Sequence, residues 1–178
     1  MEGEVLYKIT DNLLIYRDRD GKDKLIYVID PSKEKYIQIL NMREAENNVN
    51  EAVQKYIKFL DIDNRENLKN AKLFAFLLEV RLYEEYILRN LFGHMLFDEY
   101  EQFTKDKTLT FAIAEYLSNK ETLFFEENRS IIRNTNTFNK LYSLVKDVTF
   151  GMPKNYIINV YNKFVDVLKA ENISIQNL

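Results

Sequence analysis

The residues best suited to chemistry are one histidine and two arginine–asparagine steps. His94, the only histidine, lies five positions after Arg89 in the stretch RNLFGH. An imidazole can transfer protons near neutral pH, and a guanidinium can hold a phosphate through two parallel hydrogen bonds. A second step, RNTNTFN, begins at Arg133 and contains no histidine. The candidate catalytic residues are His94, Arg89 and Arg133, and the candidate substrate-binding residues are Asn90, Asn134 and Asn139.

The sequence lacks the residues that other kinds of catalytic or metal chemistry would need. The chain contains no Cys and only one His, which excludes disulfides, thiolate zinc sites, cysteine nucleophiles and most histidine-based metal sites. It has no Gly-rich phosphate loop and no His-Glu-x-x-His segment. Its clusters of Asp and Asn lack the spacing of a calcium loop and fit turns and helix caps. We therefore expect no metal and no cofactor.

The overall composition is that of an ordinary globular protein. The formal net charge is −3, with 46% hydrophobic and 30% charged residues. There is thus no global basic excess that would capture nucleic acid by bulk electrostatics. The first residues do not resemble a signal peptide, and no run is as long and uncharged as a membrane span. These observations predict a cytoplasmic protein that does not enter a membrane.

Three short segments near the start predict an antiparallel β-meander. Residues 4–10, 13–17 and 24–30 are rich in β-branched and aromatic side chains, and polar turns separate them. A meander this small needs another layer to pack on. We therefore assign residues 1–30 to a meander appended to the domain that follows.

The rest of the chain, residues 31–178, is predicted to form a helical bundle. The whole chain has only two prolines and four glycines, so few points force a helix to stop. The predicted helices cover about residues 32–42, 51–60, 66–103, 108–119 and 154–170, with further helix at both ends of 122–148. The predicted fold class is mainly α, a helical bundle with a small N-terminal β-meander.

The longest predicted helix, 66–103, would position the first candidate step. Arg81, Glu85 and Arg89 are spaced four apart, so they line one face and can pair in series. On a continuous helix five residues correspond to about 500°, so Arg89 and His94 would diverge by roughly 140°. The two side chains converge only if Gly93 breaks the helix or if two subunits complement each other.

Several short segments of this region share a pattern with a known superfamily. They are the Arg89–His94 stretch, the steps Leu78-Glu79, Glu84-Glu85 and Leu88-Arg89, and the run Ile132-Arg133-Asn134. On these residues, between roughly 70 and 148, the chain resembles the HEPN superfamily, particularly its abortive-infection-like branch. The resemblance implies a small helical bundle. It also implies, for many members, a metal-independent RNase with an Arg-polar-x3–5-His motif at a dimer interface.

The same resemblance implies roles for the candidate residues in a phage–host conflict system. His94 would act as acid or base on a ribose 2′-hydroxyl or a leaving 5′-oxygen. Arg89 and Arg133 would contact the phosphate, and Asn90 and Asn134 would orient the reacting groups. Because the second step lacks a histidine, a degenerate relative that only binds RNA or a protein fits the pattern as well.

A non-enzymatic interpretation stays open beside this one. His94 can be a structural residue packed among Phe92, Met95 and Leu96, and Arg89 can form a structural ion pair with Glu85. The protein would then be an interaction protein, for instance a phage-encoded inhibitor that binds and blocks a host defence protein. A third interpretation is a small structural subunit of a larger assembly, which a large exposed apolar patch would favour. The partners to consider are RNA, a protein, and a second copy docked along the long helix.

Overall fold

A computed structural model describes residues 2–62, 64–120 and 134–171, apart from the side chains of Arg65, Glu66 and Thr135. A four-stranded antiparallel sheet has the order β1-β2-β3-β4, with strands Glu4–Lys8, Leu13–Arg17, Asp23–Asp30 and Lys35–Asn41. The described helices are α1 Met42–Lys58, α2 Arg65–Leu91, α3 Phe97–Lys105, α4 Thr108–Ser118, α5 Thr135–Tyr142 and α6 Lys154–Ala170. The chain is therefore mainly helical with an antiparallel sheet at its N-terminus, as the sequence predicted.

The fourth strand corrects the helix predicted at residues 32–42. The Asp30 carboxylate does cap a helix start, accepting a hydrogen bond from the Ser32 backbone N–H, but only one 3₁₀ turn forms. Glu34 then adopts a φ of 49°, and the segment Lys35–Asn41 pairs antiparallel with β3. The capping signal was correct, but the β-branched residues after it gain a neighbouring strand, which local helix signals cannot reveal.

The two central strands are apolar on both faces. Eight residues are buried: Leu13, Leu14, Ile15 and Tyr16 of β2, and Leu25, Ile26, Tyr27 and Val28 of β3. Because side chains alternate along a strand, the members of each strand divide between the two faces. The face that carries Tyr27 lies toward α3, because the Tyr27 hydroxyl donates a hydrogen bond to the Glu99 carboxylate of that helix at 2.9 Å.

The helix boundaries follow the sequence prediction in part. Residues 42–58 form one helix, where the sequence predicted helix over 51–60, left 43–50 unassigned and allowed one kinked helix across both; α4 and α6 match their predicted ranges. The single helix predicted over 66–103 is wrong, because α2 and α3 are separate helices. Part of the predicted helix in 122–148 lies outside the described residues. Among the described helices, none is long and apolar enough to span a bilayer.

The chain divides into two compact units. The first comprises Met1–Asn48 and Tyr83–Tyr116, which bring together the sheet, the C-terminal part of α2, and α3 and α4. The second comprises Val49–Leu82 and Leu117–Leu178, with most of α1, the N-terminal part of α2, α5 and α6. Each unit has its own interior hydrogen bonds.

In the first unit, a buried polar network joins the sheet to α4. The Tyr116 hydroxyl donates to Asp23 at 2.6 Å, and Arg17 Nε donates to the same carboxylate at 2.7 Å. Tyr7 packs edge-to-face on Tyr116, with ring centroids 6.0 Å apart. The Asp23 carboxylate thus has both a charged and a neutral donor, which offsets the cost of burying it.

In the second unit, side chains of α1 and α2 hold the loop between α5 and α6. The Tyr56 hydroxyl donates to the Thr149 carbonyl at 2.5 Å and accepts from the Met152 backbone N–H at 2.9 Å. Arg81 Nε donates to the Val148 carbonyl at 3.0 Å. These bonds satisfy backbone groups that lie outside regular structure.

The buried tyrosine predicts a loss of stability at alkaline pH. Burial, together with the hydrogen bond to Asp23, raises the pKa of Tyr116 above its ordinary value of 10.0. Above about pH 10 this tyrosine ionises in the unfolded chain while it stays neutral in the folded one. The unfolded state then binds fewer protons, so the free energy of unfolding falls by at most about 1.4 kcal/mol per pH unit for this group. Below about pH 10, Tyr116 adds no pH dependence to the free energy of unfolding.

Urea unfolding at a series of pH values between about 8 and 11 checks this expectation. Tyr116→Phe should flatten the alkaline decline, whereas Tyr36→Phe, at a tyrosine that is 44% exposed, should leave it unchanged. Equal declines in the parent and in both variants would contradict the assignment.

Candidate functional site

A glycine lies in the turn between α2, which ends at Leu91, and α3, which begins at Phe97. Gly93 has a φ of 89°, in the left-handed region that residues with a Cβ rarely adopt. The His94 backbone N–H donates to the Leu91 carbonyl at 2.9 Å, which satisfies one of the last carbonyls of α2. The prediction of a continuous helix through this point is therefore wrong, and one condition for Arg89 and His94 to approach each other, a helix break at Gly93, is met.

The turn exposes a cluster of large apolar side chains. The segment Phe92–Phe97, called here the α2–α3 corner, holds three of them, Phe92, Leu96 and Phe97, which are 66%, 74% and 68% exposed. Met95 is 9% exposed and is the buried member of the segment. His94 is exposed as well, so its ring is not packed in the interior.

Two of the candidate residues near the corner are already engaged within α2. Arg89 is 63% exposed and donates to Glu85 at 2.7 Å, which is the structural ion pair that the sequence offered as an alternative. The other carboxylate oxygen of Glu85 is buried and has no hydrogen-bond partner among the described residues. The Asn90 side chain donates to the Tyr86 carbonyl at 2.8 Å. Both contacts are local to one helix.

The remaining candidates belong to the second unit or lie outside the described residues. The Asn134 side chain caps α5 by accepting from the Thr137 backbone N–H at 3.1 Å. Asn139 has a buried side-chain oxygen without a hydrogen-bond partner in the described part of the chain. Arg133 lies outside the described residues. The convergence of both arginine–asparagine steps on one cleft therefore stays a prediction.

The charges next to the corner along the chain, between residues 85 and 105, are mainly negative. Lys105 pairs with Glu101 at 2.9 Å, as Arg89 pairs with Glu85, so both cations of this stretch are matched by a carboxylate. Asp98 and Glu99, directly after Phe97, add two further carboxylates. The described residues contain no group of His, Cys, Asp and Glu side chains that could hold a metal ion. The corner is thus an apolar surface with an acidic border.

Sequence reasoning missed the exposed side chains of the corner. On a continuous helix Phe92 and Leu96 would each lie seven residues after a charged residue, Glu85 and Arg89 respectively, and therefore on the same face as those charged residues. The sequence offered both only as neighbours of a packed His94. The signal that could have revealed them is a glycine inside an otherwise apolar helical run, because such a glycine often ends a helix.

Comparison of this chain with known proteins finds no match. No protein-family model matches the sequence, and no curated protein or solved structure matches it either. The resemblance to the HEPN superfamily therefore stays a prediction from the residues quoted above.

The backbone at Gly93 predicts a specific effect of substitution. Apart from Gly93 and its two chain neighbours, no heavy atom of the described residues lies within 4 Å of the place where a Cβ would stand, so steric contact is not the obstacle. Gly93→Ala should still lower the free energy of unfolding by about 1–2 kcal/mol, because a left-handed conformation disfavours a Cβ. Gly93→Asn should cost less, since Asn tolerates that region better. Equal stability of the parent and both variants in urea unfolding would contradict this account of the turn.

Proposed function

We propose that this protein acts by binding another protein through the α2–α3 corner. The observation that carries the proposal is the exposure of Phe92, Leu96 and Phe97, each at least 66%, within one six-residue segment. Single exposed apolar residues are ordinary, whereas clusters of them mark interaction surfaces. Phenylalanine rings supply large contact areas, and burying them is favourable by about 25 cal/mol per Å² of apolar surface.

The contacts of the candidate catalytic residues support binding over catalysis. The Arg89 guanidinium is paired with a carboxylate, so a phosphate would have to compete with Glu85 for it. The Asn90 side chain is bonded to its own helix. An apolar partner, in contrast, meets the corner as it stands, without any of these bonds breaking.

The second candidate function is the HEPN-like one, in which the protein is an RNase or a degenerate relative that only binds RNA or a protein. It would be built as a helical bundle and would act in the cytoplasm in a phage–host conflict. The observation that favours it is the helix break at Gly93, which leaves His94 exposed five positions after the exposed Arg89. Its dimer along the long helix is part of the same proposal.

Site-specific photo-crosslinking tests the first proposal. A photoreactive phenylalanine analogue placed at position 97, in the cells that encode the protein, should yield a discrete adduct with one other protein. The matched control places the same analogue at Leu68, another exposed apolar residue, on the part of α2 that belongs to the second unit. Similar adducts from both positions, or none from position 97, would count against the corner as the binding surface.

Cleavage of a labelled structured RNA in the presence of EDTA tests the second candidate. If the HEPN-like function holds, the purified protein should cleave without metal, and His94→Ala should lower the rate at least about 100-fold, the usual scale for removing an acid–base group. Arg89→Ala should also slow cleavage. Cleavage that survives both substitutions would remove these residues from the mechanism, and an inert parent protein would leave the binding function.

A further inference from the structure

We infer that the partner of the α2–α3 corner presents an apolar surface bordered by basic side chains. The inference deepens the proposed binding function and depends on it. It follows from the charges that surround the exposed apolar cluster.

The charge balance at the corner is the first step. From residue 85 to residue 105 the chain has four carboxylates and two cations, Arg89 and Lys105. Both cations form ion pairs, with Glu85 and Glu101. The excess negative charge therefore resides on Asp98 and Glu99, immediately beside Phe97.

Asp98 forms no ion pair with the residues that the structure describes. Asp98 is exposed and lies in the first turn of α3. The N-terminal end of a helix carries partial positive charge, which stabilises an anion there. Asp98 is thus an exposed acidic side chain that can attract a cationic group of a partner.

The acidic border discriminates among the ligands that could cover the apolar cluster. RNA phosphates and anionic lipid headgroups would meet like charge at Asp98 and Glu99. A second copy of the chain would bring two acidic borders together. A protein surface with lysine or arginine around an apolar centre would gain both apolar burial and charge attraction, which also speeds and orients its approach. That partner is the one that fits.

Two synthetic probes test the inference on the full chain. One is a fluorescently labelled amphipathic peptide of leucine and lysine, and the other is the same peptide with glutamate in place of lysine. Fluorescence anisotropy at low salt should show at least about tenfold tighter binding of the lysine peptide. The preference should shrink as salt is raised, because the screening length falls to about 10 Å at 0.1 M ionic strength.

Matched variants locate the effect. Phe97→Ser should weaken binding of the lysine peptide at least about tenfold, while Leu68→Ser, at a residue that is 45% exposed, should not. Asp98→Asn should lower the affinity about threefold, as expected for an exposed charge pair. Asp166→Asn removes the same charge from an exposed position of α6 and should have no such effect. Thermal unfolding of each variant confirms that the fold is retained.

The outcomes separate the inference from the function on which it rests. Equal binding of both peptides, lost in Phe97→Ser, would overturn the basic partner and keep the corner as a binding surface. Binding of the lysine peptide that is unchanged in Phe97→Ser would overturn both the basic partner and the corner as a binding surface. Binding to neutral lipid vesicles in preference to the lysine peptide, or self-association in sedimentation that Phe97→Ser abolishes, would also overturn the inference.

Discussion

The left-handed backbone of Gly93 is the constraint on which the corner depends. With a φ of 89° this residue ends α2 and lets α3 begin at Phe97 in a new direction. A residue with a Cβ would resist the same conformation by about 1–2 kcal/mol. Around this turn Met95 is buried while Leu96 is exposed, so the segment presents part of its apolar surface to solvent.

The helices around the corner are tied to their surroundings by specific side-chain bonds. Tyr27 of β3 donates to Glu99 in the first turn of α3, and Thr110 of α4 donates to Glu84 in the last part of α2. Both bonds lie within the first unit. A surface held in this way loses less conformational entropy when a partner binds than a mobile loop does, so more of the apolar contact energy becomes affinity.

The sequence predicted those parts of the fold whose signals are local. Short runs of β-branched and aromatic residues between polar turns indicated β2 and β3, and Pro153 together with the glycine at 151 indicated the start of α6. The helix predicted at 32–42 failed because its cap is real but the following segment gains a strand partner that is visible only in the fold. At the site, the four-residue spacing predicted the Arg89–Glu85 pair, whereas the end of α2 at Leu91 depends on the left-handed backbone at Gly93, which a periodic pattern cannot contain.

The Arg89–Glu85 pair bears directly on the binding function proposed for the corner. One Glu85 oxygen accepts from Arg89, and the other is buried without a hydrogen-bond partner among the described residues, in a side chain that is only 16% exposed. If the guanidinium moved to a phosphate, it would leave a largely buried carboxylate with weakened compensation, at a cost of about 1–3 kcal/mol or more. An apolar partner seated on Phe92, Leu96 and Phe97 leaves this pair intact. The electrostatics inside α2 and the apolar exposure beyond its end therefore favour the same kind of ligand, one that contacts the corner without drawing Arg89 away from Glu85.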